Sequence, residues 1–171
     1  MLLPTSVDVL RCVERTLETV IAPALTGTAE RSAAATMGHL LRHVALRIEH
    51  EGRILSEEIA ILHQALAEVR TYLGDAYSHD AEASQLRAAL AQQLAPVTQS
   101  PSYRSVASLA DEVTALRQRV CDALAFIHSR DPELQGPARA VYESLKRYVA
   151  WELEQEAQII DPAFEGFGPR R

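Results

Sequence analysis

From Val7 to Ile160 apolar residues recur at steps of three and four, and nowhere do they alternate between turn signals, so the chain can only bury them as packed helices. The longest unbroken stretch of this pattern is Ala29 to Glu51, AERSAAATMGHLLRHVALRIEHE, which holds three of the six histidines. At about 100° per residue, Met37, Leu40, Leu41, Val44 and Ile48 share one apolar face, the arrangement of a helix turned toward a core. His39, His43 and His50 fall within about 40° of one another on the opposite side, beside Ser32, Ala35, Thr36 and Leu46. Charges are confined to the flanks, with Arg31, Arg42 and Glu49 on one and Arg47 and Glu51 on the other. Two uncharged stripes predict a helix packed on both sides.

The remaining elements follow from spacing and breakers. Thr5 and Ser6 offer an N-cap to a first helix carrying Val7, Leu10, Val13, Leu17, Val20 and Ile21, which should fade at Ala22-Pro23 because the residue before proline avoids the α region. Gly52 ends or bends the central helix. A third helix restarts at Ser56 with Ile59, Leu62, Leu66, Val69 and Leu73, and Gly74 closes it. A short fourth helix holds Leu86, Leu90 and Leu94 before Pro96, and PVTQSPSYRS has linker composition. Leu109, Val113, Leu116, Val120, Leu124 and Ile127 then keep a heptad-like stripe suited to a bundle helix or a coiled-coil seam. The last helix runs from about Pro137 to Ile160. The fold expected is all-α, an antiparallel helical bundle of five long helices and one short one. Residues 1–160 make one domain, and 161–171 form an irregular tail whose Phe164 and Phe167 either pack back or anchor a partner.

Charge and composition remove several classes of function. With 171 residues, 47% of them hydrophobic, one domain can bury a sizeable core. A net charge of −6 without basic clusters opposes nucleic-acid or anionic-membrane binding. No apolar run approaches the ~18 residues of a membrane span, and the first residues lack a basic segment followed by an apolar one, so a cytoplasmic location is expected. Cys12 and Cys121 lack metal-binding or redox spacing and read as two reduced thiols.

Chemistry has few places to sit. His39 and His43 have the i,i+4 spacing by which two imidazoles share a metal, but HLLRH lacks the glutamate of HExxH. His50 cannot join them, since seven residues of rise put it roughly 10.5 Å from His43 while a metal–nitrogen bond is ~2.1 Å. Further ligands must come from another helix. In the last helix Glu152 and Glu156 fall inside the apolar face defined by Val141, Leu145, Tyr148 and Ile159, and a carboxylate there needs a partner, a proton or a metal. His39, His43, Glu152 and Glu156 are therefore the candidate ligands for a divalent ion, Zn, Fe or Mn. The alternative is a set of packed histidines, and glutamates that emerge from the core or pair with Arg42 or Arg47. Tyr148 and Trp151 are candidate pocket walls in a chain with 5% aromatic residues. No GxSxG, GxGxxG or GxxxxGK[ST] occurs, so no catalytic residue is assigned.

VLRCVERTLETVIAPAL (Val9 to Leu25) and HVALRIEHEG (His43 to Gly52) resemble a poorly characterised bacterial helical family. Its members are found beside aminoglycoside-phosphotransferase-like kinases and acyl-CoA dehydrogenases. The resemblance covers about a third of the chain and implies an accessory protein working near a kinase or an acyl-CoA enzyme. The expected function is a non-enzymatic helical accessory or scaffold protein that self-associates or docks on an enzyme partner. A metal-dependent enzyme, or a bundle binding a small molecule with a His/Glu cluster in its core, is the alternative.

Overall fold

The computed structural model describes residues 3–95 and 104–164, and among them the protein is all-α, with five helices. Thr5 caps the first. Its hydroxyl accepts from the Asp8 amide while the Asp8 carboxylate reaches back to the Thr5 amide, a reciprocal capping box. These Thr5 hydrogen bonds hold the Asp8 carboxyl below the usual carboxylate range. Helix α1 comprises Ser6–Thr16, a π-helical turn Leu17–Ile21 and Ala22–Ala24. It ends two residues later than the proline suggests. A proline ring collides with the carbonyl four residues back, here Thr19, and the wider π turn moves that carbonyl away.

Helix α2 is Thr28–Ala76, 49 residues without interruption, where two helices meeting at Gly52 were expected. A glycine inside a helix costs about 0.5–1 kcal/mol and does not by itself end one. The ion pairs Arg47–Glu51 and Arg53–Glu57, each spaced i,i+4, support the helix on either side of Gly52. The described residues therefore form five helices, not six. Gly74 does not close α2 either, since the helix continues to Ala76.

Helix α3 is Ala81–Gln93, capped by Asp80, and α4 is Val106–Arg130, capped by Ser105. Gly136, in a left-handed conformation at φ +52°, opens α5, Gly136–Phe164. This last helix passes through Pro162, so residues 161–164 of the expected irregular tail are helical. Phe167 and the segment 96–103 lie outside the described residues.

The chain divides into two compact units. One takes both ends of the chain, up to Gly52 and from Glu154 onward, and the other is Arg53–Leu153. In the second unit Leu62, Leu66, Val69 and Leu73 of α2 pack with Leu90 of α3, with Val113, Leu116, Val120, Phe126 and Ile127 of α4, and with Val141 and Leu145 of α5. The regular stripe of α4 is thus spent inside this core and is not a seam offered to a partner. No described helix is long and apolar enough to cross a membrane.

Candidate functional site

In the unit built from the chain ends, α1 lies antiparallel along α2. Arg11 pairs with Glu49 at 2.8 Å, and Arg42 pairs with Glu14 at 2.9 Å and Glu18 at 3.2 Å. Val7 and Leu17 of α1 and the small Ala34, Gly38 and Ala45 of α2 are buried. The ion pairs link the two helices, and the large apolar residues of α2 take no part in them.

Those large residues stay uncovered. Met37, Leu40, Val44 and Ile48 are between 45 and 55% exposed. The expected core face of α2 therefore is not buried in this chain, and the prediction of a helix packed through that face is corrected. Helical geometry explains the substitution. At about 100° per residue the buried Gly38 and Ala45 are centred some 90° from the Met37–Ile48 stripe, with Arg42 and Glu49 farther round on the far edge. On α1 the ion-pairing Arg11, Glu14 and Glu18 mark the same far edge. Val9, Val13 and Val20 emerge at the opposite edge, 48 to 63% exposed. Both helices turn apolar side chains to one side, with the Arg11, Glu14, Glu18, Arg42 and Glu49 charges along the far edge and the Arg47–Glu51 ion pair bordering the stripe of α2 on its other edge.

The histidine stripe of α2 has a different neighbour, the end of α5. His39 Nδ1 lies 3.1 Å from the carbonyl oxygen of Ala163, so this nitrogen carries the hydrogen, and Arg42 Nη1 donates to the same carbonyl at 3.4 Å. The carbonyls of a helix's last turn have no partner within the helix, and cationic or donor side chains satisfy them. Phe164 stacks on His39 with ring centroids 5.6 Å apart and leans on His43 at 6.0 Å, so this phenylalanine packs back while remaining half exposed. His43 Nδ1 is buried and has no hydrogen-bond partner among the described residues.

The acidic candidates lie elsewhere in their chemistry. Glu152 Oε1 is held 2.7 Å from Arg117, and Glu156 is exposed. Among the described residues no group of three or more His, Cys, Asp or Glu side chains is placed to hold a metal ion. The acid that is deeply buried is Glu58, 2% exposed, which the sequence reading passed over. Its signal was present: Leu62, Ala65 and Val69 follow at i+4, i+7 and i+11, on the same face. Glu58 Oε1 accepts from Arg117 Nε at 2.7 Å and from the Tyr148 hydroxyl at 2.8 Å. Burial, with the hydrogen bond to Glu58, pushes the Tyr148 phenol well above its ordinary value. Tyr148 is thus a buried donor within a core network, and Trp151 is partly buried. A groove of about 650 Å³ in the same unit is bordered instead by Glu68, Thr71, Tyr72, Asp75, Pro137 and Arg147.

Comparison with protein-family models, with curated proteins and with solved structures finds no match for this chain. Functional argument accordingly rests on the surfaces and clusters just described.

Proposed function

We propose that this chain is a non-enzymatic helical accessory or scaffold protein that works by docking, either on itself or on an enzyme partner, through the α1–α2 face. The observation that carries this reading is the exposure of Met37, Leu40, Val44 and Ile48 at helical spacing in a helix whose other faces are already occupied. Reburying a half-exposed side chain of this size contributes about 1 kcal/mol, so the four together are worth about 4 kcal/mol to any partner that covers them. Contiguous apolar surface of this kind on a folded chain marks an interaction site more often than chance exposure. The resemblance of Val9–Leu25 and His43–Gly52 supports an accessory role near a kinase or an acyl-CoA enzyme.

Dye binding tests the face itself. The dilute protein should brighten a solvatochromic apolar dye, and a Leu40→Glu, Val44→Glu double variant should lose most of that signal with its helical circular dichroism intact. Equal dye binding by the two proteins would remove the reading.

A second reading, a divalent metal bound through His39 and His43, is favoured by one observation, the unpartnered buried Nδ1 of His43. With His39 Nδ1 committed to Ala163, Nε2 is the His39 atom left for a ligand. Glu152, already paired with Arg117, would have to leave that partner to join such a site. Zinc titration followed by calorimetry tests it: binding lost in His43→Ala supports the site, and heat unchanged by that substitution excludes it.

A further inference from the structure

We draw no further inference here: the strongest candidate, the groove of about 650 Å³ between α2 and α5 in the 53–153 unit, is bordered by charges of both signs, Glu68, Asp75 and Arg147, which select no one class of ligand, and nothing in the structure shows what covers it.

Discussion

The unit 53–153 and the unit made from the chain's two ends are both assembled from amphipathic helices, yet they bury different kinds of side chain. In 53–153 the interior is leucine, valine, isoleucine and aromatic rings, with one carboxylate, Glu58, held by Arg117 and Tyr148. Among the described residues of the end-built unit the buried apolar ones are Val7, Leu17, Ala34, Ala45 and Ala163, while Val9, Val13, Val20, Met37, Leu40, Val44 and Ile48 face water. Burial of methylene groups is the main source of folding free energy, so the first unit carries most of the stability. The second unit is joined by ion pairs, by hydrogen bonds to a helix-end carbonyl and by the stacking of Phe164 on His39. What it withholds from its own interior is available to a partner.

The largest test of this contrast is a matched pair of truncations. Leu116 is fully buried in the 53–153 core, and Leu116→Ala should cost about 3–4 kcal/mol, read from the urea midpoint of unfolding. Val44→Ala, measured in dilute protein, should cost about 0.5 kcal/mol or less. Comparable losses at the two positions would break the distinction between the units.

A smaller effect, of about 1–2 kcal/mol, belongs to the Glu58 network. Tyr148→Phe removes a hydrogen bond to a buried carboxylate that keeps its Arg117 partner. This pair also sets the behaviour in alkali. Burial raises the Tyr148 phenol above its ordinary value of 10, and the Tyr72 phenol likewise through burial and its hydrogen bond to Tyr77. A raised phenol means that above pH 10 the unfolded chain has released protons that the folded chain retains, so stability is complete below pH 10 and falls as pH rises beyond it. Denaturation at stepped pH should show this decline, and Tyr148→Phe should make it shallower. An unchanged slope in that variant would mean that Tyr148 ionises freely in the folded protein.

The smallest expected change is a gain. Gly74 sits inside α2 with room for a methyl group, the nearest atom to a built Cβ being Arg87 Nη1 at 3.5 Å. Gly74→Ala should therefore stabilise the 53–153 unit by about 0.5 kcal/mol, visible as a small rise in melting temperature. A loss on that substitution would show that α2 is already ending at Gly74.

Much of the helix pattern was legible because spacing and caps are local. Thr5, the stripe from Leu109 to Ile127 and the proline at the start of α5 all behave as their sequence context implies. Gly52 misled because a glycine weakens a helix without ending it, and the ion pairs that support the helix there are visible only as pairs once the helix is granted. The face of α2 misled for a deeper reason. Hydrophobicity identifies the side of a helix that gains from burial, whereas the side of α2 that is buried here carries the small Ala34, Gly38 and Ala45. The site residues divided similarly. Glu152 was rightly suspected of needing a partner, and Arg117 supplies it from another helix, a distance in sequence that no spacing rule bridges. Glu58 shares a stripe with leucines but stands beside Glu57 in a run of polar residues, which disguised it.

The meeting of His39 and Arg42 with the Ala163 carbonyl also dictates an order of events during synthesis. Helix α1 can pair with the start of α2 as soon as both have left the ribosome. The histidine side of α2, however, must wait for Glu154 and the residues after it, 102 positions beyond Gly52. At about 5–20 residues per second that interval is roughly 5–20 s, during which the whole of 53–153 becomes available to fold. The last turn of α5 is therefore the final piece of the end-built unit to be synthesised, after all of 53–153.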